Sequence, residues 1–81
     1  MKLLVLGSGC TKCAKLYVAT EQAAKELGVL YEIEKITNLR QIMALRVMLT
    51  PALVVNGTVK VVGKVPSVEE LKTILKQSEP S

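Results

Sequence analysis

The chain has 81 residues, 49% of them hydrophobic, which is enough for the core of one compact domain and too little chain for two. With no Trp or Phe and two Tyr, that core must be built from Val, Leu, Ile, Ala and Met, as suits aliphatic packing between a sheet and helices. The net charge of +4 comes from Lys and Arg interleaved with Glu, without a basic run or stacking aromatics, so nucleic acid is not an expected partner.

Met1-Lys2 followed by Leu3 to Leu6 is too short an apolar stretch for a signal peptide, and Gly7 breaks it. No later run approaches the roughly 18 apolar residues of a membrane span, so no membrane partner is expected and the expected compartment is the cytoplasm. Leu3-Leu4-Val5-Leu6 reads as a strand buried on both faces, running into the tight loop Gly7-Ser8-Gly9 that delivers Cys10. From 11 to 27, Cys13, Leu16, Tyr17, Thr20, Ala23, Ala24 and Leu27 recur at helical spacing, with charged residues on the other face and Gly28 as the stop.

Residues 29–36 alternate Glu32 and Glu34 with β-branched and aromatic side chains, as a strand near a sheet edge does. Asn38 and Gln41 suggest a capping box for a short helix with Leu39, Ile42, Met43 and Val47 turned inward, ending before Pro51. Asn56-Gly57 between residues 52–55 and 58–62 is a strong hairpin signal, because both central positions of a type I′ turn need positive φ. After Pro66, Ser67 and Glu70 form a second capping box, opening a helix with Val68, Leu71, Ile74 and Leu75 inward. The order βαβαββα implies an α/β fold with a four-stranded mixed sheet flanked by helices, one domain over 1–77 and a frayed tail over 78–81.

Gly9-Cys10-Thr11-Lys12-Cys13 falls where a buried strand becomes a helix. Unpaired N–H groups at a helix start carry partial positive charge and lower the pKa of a thiol placed there. Cys10 sits at the mouth of the helix, and Cys13 lies almost one turn inside on the buried side. That geometry assigns Cys10 as the attacking sulfur and Cys13 as the resolving one in thiol–disulfide exchange. Lys12 either adds positive charge beside Cys10 or is an ordinary solvated helix residue, the more common case.

In Thr50-Pro51-Ala52-Leu53 the chain resembles the thioredoxin superfamily, and the likeness spans nearly its whole length. The strand and Cys10-x-x-Cys13 helix, second strand, short helix, Thr50-Pro51, Asn56-Gly57 hairpin, Gly63 and terminal helix all have counterparts, closest to small prokaryotic thioredoxin-like redox-active disulfide proteins. The resemblance implies a cis Thr50–Pro51 bond facing the cysteines, with Pro51 shaping the site and keeping metals from the sulfurs. It also implies that Thr50 backbone groups pair with an extended substrate segment. A disulfide oxidoreductase of this kind needs no cofactor beyond the Cys10–Cys13 dithiol, takes protein disulfides as substrates and a thioredoxin-reductase-like electron donor, and is expected to be a monomer.

Without the resemblance, Pro51 is equally a trans proline at a strand start. Gly63 is either a turn glycine or a point of close backbone approach to the site, and Val47, Met48 and Leu49 are either a docking rim or core. Gly9 and Thr11-Lys12 depart from the Trp and Gly-Pro of full-length thioredoxins, so substrate choice and redox poise do not transfer. The acidic residue those proteins bury beneath the resolving sulfur has no obvious counterpart.

Two other functions fit the same pair: a Cu(I) or Zn(II) carrier, and a redox-sensing module without turnover. Metal-carrying domains end in a strand of a ferredoxin-like sheet, unlike the capped terminal helix expected here, and with two Cys and no His a four-ligand zinc site would need a dimer or outside ligands. The lack of His also excludes Cys-His and Ser-His-Asp catalysis. Gly7-Ser8-Gly9 lacks the rest of a nucleotide loop and reads as a lead-in to Cys10.

Overall fold

A computed structural model describes residues 1–7 and 11–78. Its elements are β1 (Lys2–Leu6), α1 (Thr11–Leu27), β2 (Glu32–Ile36), α2 (Leu39–Ala44), β3 (Ala52–Val55), β4 (Thr58–Val62) and α3 (Val68–Ser78). The strands form one mixed sheet in the order β2-β1-β3-β4, with β1 parallel to β2 and antiparallel to β3, and β4 antiparallel to β3.

Side-chain alternation divides the interior into two layers. Leu3, Val5, Leu53 and Val55 face Leu16, Ala23 and Ala24 of α1 and Leu71 and Leu75 of α3. Leu6, Ala52 and Val54 point the other way, towards Ile42 of α2 and Val47. Near Lys60 the β3–β4 register slips between the Leu53–Val61 and Val54–Val59 pairs. This bulge breaks the two-residue alternation, so that Val61 joins the first layer and Val59 packs against the second.

Helix α1 ends in a Schellman arrangement: Gly28, at φ +70°, donates from its N–H to Lys25 O at 3.1 Å, and Val29 N–H donates to Ala24 O at 3.4 Å. The second strand begins at Glu32 and not at Val29, because its parallel register matches Glu32 to Lys2, where β1 itself begins. The segment before it is held by the Met1 amino group donating to Leu30 O at 3.0 Å.

Asn38 caps α2, its Oδ1 accepting from the N–H groups of Arg40 and Gln41. Of the residues expected to face inward, Ile42 and Val47 are buried, whereas Leu39 and Met43 are 68% and 64% exposed. The helix stops at Ala44, and Arg46 adopts φ +61° as its N–H donates to Met43 O at 2.9 Å. This left-handed residue turns the chain so that Val47 covers the sheet, leaving Leu39 and Met43 on the outside.

Ser67 Oγ accepts from Glu70 N–H at 3.2 Å, capping α3 as expected. Ser78, expected in the frayed tail, is instead the last residue of α3, and its Oγ donates to Ile74 O at 2.9 Å. Residues 79–81 lie outside the described residues. Lys72 of α3 reaches Glu26 of α1 at 3.1 Å. Among the described residues, no helix is long and apolar enough to cross a membrane.

Thr20 of α1 is fully buried, and its Oγ1 has no hydrogen-bond partner among the described residues. Leaving such a group unpaired costs about 1–3 kcal/mol, so Thr20→Val, similar in shape without the hydroxyl, should raise stability by about 1 kcal/mol. A urea midpoint at or below that of the parent would contradict this. Glu26 has its pKa lowered by the Gln22 side-chain amide and by Lys72. A carboxylate with a depressed folded-state pKa stabilises at neutral pH, and that contribution is lost as pH falls through the folded value. Melting temperatures of Glu26→Gln should therefore decline less steeply on acidification than those of the parent.

Candidate functional site

The site is built where β1 runs into α1 and β3 begins. Helix α1 opens at Thr11 with no acidic residue in its first turn, so no carboxylate offsets the partial positive charge of its amide groups. Thr11 and Lys12 are exposed, while Cys13 is 1% exposed on the helix face turned to the sheet. Gly9 and Cys10 lie outside the described residues; in the sequence, Cys10 directly precedes the first helical residue.

Gly7 is buried at the end of β1, with its N–H donating to Ile36 O of β2 at 3.0 Å. A Cβ placed on it would overlap Cys13 Sγ and stand 3.0 Å from Cys13 Cβ and 4.0 Å from Pro51 Cα. The buried sulfur thus occupies a hollow that exists because position 7 has no side chain. The sequence shows a glycine between strand and loop, where punctuation is explanation enough; only the return of α1 over the strand end reveals its packing role.

The Thr50–Pro51 peptide is cis, with Pro51 buried and Thr50 exposed. Pro51 O accepts from Gly63 N–H at 2.8 Å, which draws the end of β4 against the start of β3. Gly63 has φ +72°, and a Cβ there would sit 3.4 Å from Leu49 Cβ and Cδ1. Both readings of Gly63 therefore describe it: its backbone requires glycine, and it lies against the Pro51 segment. Of the preceding residues, Val47 belongs to the core, whereas Met48 and Leu49 are 92% and 62% exposed.

The structure thus brings Cys13, Pro51 and Gly63 of the sequence-derived set to one end of the sheet, adds Gly7, and leaves Thr50, Thr11 and Lys12 at the surface. An aliphatic groove of roughly 470 Å³ runs along the outer side of α1 past Ala14 and Val18 to Val68, and Cys13 does not line it. Among the described residues, no three Cys, Asp or Glu side chains converge in a way that could hold a metal ion.

Residues 1–76 match the family described as "Thioredoxin domain". A protein named "Thioredoxin" from Methanothermobacter thermautotrophicus is 41% identical over 75 residues, covering 93% of this chain and 97% of that protein. Another "Thioredoxin", from Methanocaldococcus jannaschii, is 40% identical over 72 residues, covering 89% of this chain and 83% of that protein. The narrower redox-active disulfide group is not what these matches name.

Gly63→Ala should cost about 1 kcal/mol, the penalty for an L side chain in the left-handed region, with an added push on Leu49. Urea unfolding measures it, and an unchanged midpoint would mean that Gly63 is not held at the positive φ described.

Proposed function

This chain belongs to the thioredoxin domain family, and from that premise we propose that it is a thiol:disulfide oxidoreductase that reduces protein disulfides through Cys10 and Cys13. The observation that carries the reading is the seating of Cys13, buried in the first turn of a helix that has no acidic residue there, with its side chain and Pro51 Cα both within 4.0 Å of where a Gly7 Cβ would stand. A sulfur kept from solvent, one turn after a cysteine at the helix mouth, suits attack on a neighbouring sulfur better than capture of a partner.

The Cys10 thiolate attacks one sulfur of a substrate disulfide, forming a mixed disulfide and expelling the other substrate sulfur as a thiolate that takes up a proton. Cys13 then gives up its proton, and its sulfur attacks Cys10 Sγ. The Cys10–substrate bond breaks, the second substrate thiol leaves, and the Cys10–Cys13 disulfide closes. Two electrons pass from the dithiol to the substrate, and a reductase of the thioredoxin-reductase class returns them. Nothing beyond the two sulfurs is needed as a cofactor.

Thr50, exposed before the buried Pro51, offers backbone groups to an extended substrate segment, with Met48 and Leu49 as an apolar rim beside it. Gly63 supports this edge through its bond to Pro51 O. Gly9 and Thr11 complete the loop around Cys10, and Lys12 contributes a weak, screened positive charge. A reducing compartment such as the cytoplasm suits this direction of electron flow. The metal-carrier reading draws no support from relatives that bear the thioredoxin name.

Reductase-coupled turnover of a protein disulfide tests the proposal and separates it from a sensor, which stops after one oxidation. Cys10→Ser should fall to the uncatalysed background, whereas Cys13→Ser should accumulate a covalent mixed disulfide visible on a non-reducing gel. Retention of parental turnover by Cys10→Ser would sink the assignment. Equilibration in thiol buffers settles direction: a potential near about −270 mV favours reduction and one near about −120 mV favours oxidation.

A further inference from the structure

We propose that Gly7 is a positioning residue of the dithiol site, its missing side chain providing the hollow that orients the Cys13 sulfur for attack on Cys10. The inference rests on the roles assigned above to the two cysteines. Gly7 belongs to no Cys-x-x-Cys motif and has an ordinary negative φ or extended backbone as far as glycine-specific strain is concerned, so conformational freedom does not explain it. The close approach does.

The end of β1 is fixed on one side by the bond from Gly7 N–H to Ile36 O, and Pro51 Cα stands 4.0 Å from where a Gly7 Cβ would be. Cys13 is held by α1, whose Leu16, Ala23 and Ala24 are packed into the core. Sheet and helix therefore meet at this point with little freedom to separate, and the sulfur fits between them because position 7 is bare.

Adding a methyl group leaves two accommodations. The Cys13 side chain rotates to another staggered position, or the start of α1 retreats far enough to clear the overlapped sulfur, well beyond the few tenths of an ångström that Cys13 Cβ alone demands. Both move the resolving sulfur out of the seat it holds beside Gly7. Reactions of held groups lose as much as about 100-fold in rate for a misplacement of about 1 Å, so resolution should suffer while capture by Cys10 does not.

The test is a single-turnover reaction of reduced protein, in excess, with an aromatic disulfide that releases one coloured thiolate on capture by Cys10 and a second on attack by Cys13. In Gly7→Ala the first release should stay within about twofold of the parent and the second should slow by about 10-fold or more. Closure of the Cys10–Cys13 disulfide against glutathione should become about 10-fold less favourable, equivalent to a potential about 30 mV less negative. Unchanged second release and potential, or equal slowing of both releases, would overturn the proposal.

Should Gly7→Ala melt early or fail to fold, the double variant Gly7→Ala with Cys13→Ala provides the decision. Removing the sulfur should restore most of the lost stability, and no restoration would place the obstruction elsewhere. The roles of the cysteines are judged separately by Cys10→Ser with Gly7 intact. If that variant still gave both releases at parental rates, the functional assignment would fail, whatever coupling Gly7 and Cys13 showed in their melting temperatures.

Discussion

Strands β1 and β3 occupy the middle of the sheet and have almost no wet face. Alternate side chains along each must find apolar cover on opposite sides, so a helical layer on one side alone would leave Leu6, Ala52 and Val54 in water. Each such Leu or Val is worth about 1.5–3 kcal/mol when fully buried, far more than any single surface ion pair such as Lys72–Glu26. The sandwiching of these strands, rather than helix propensity or charge, sets where α1, α2 and α3 must lie. It also puts the ends of β1 and the start of β3 next to one another, which is where Gly7 and Pro51 meet.

The two helical layers are unequal. Long α1 and α3 cover one face with Leu16, Ala23, Ala24, Leu71 and Leu75, whereas the other face depends on six-residue α2 and a single left-handed turn at Arg46. An arginine at φ +61° gives up the ease that glycine would have there, yet the turn delivers Val47 to the sheet and Met48 and Leu49 to the surface within three residues. Burial and exposure are thus separated sharply just before Thr50-Pro51.

Much of this could be read from residue order because the strongest local signals agree with the packing. The continuous run Leu3 to Leu6, the periodic face from Cys13 to Leu27, the Asn56-Gly57 turn and the Ser67 cap each correspond to the element seen. Short elements were harder, since one buried stripe on α2 can be drawn several ways from Leu39, Ile42 and Met43, and tertiary turning at Arg46 decides among them. The bulge near Lys60 gives no local signal, because Val59 and Val61 look like two residues of one face until a slipped register sends them to opposite layers. Cys13 and Pro51 carried recognisable patterns. Gly7 did not, because its importance lies in a neighbour that arrives from the next element.

The turn residue Asn56 has a structural reach that outruns its role in the hairpin. Its Oδ1 accepts from Lys2 N–H at 2.9 Å, its own N–H donates to Lys2 O at 2.8 Å, and its Nδ2 donates to Ser78 O at 3.4 Å. One amide side chain thereby clasps the first strand and the last helix at the pole remote from Cys13. The start of β1 and the end of α3 are thus tied at one pole, opposite the end of the sheet where Gly7, Cys13 and Pro51 gather, so strain applied at one pole reaches the other only through the length of the central strands.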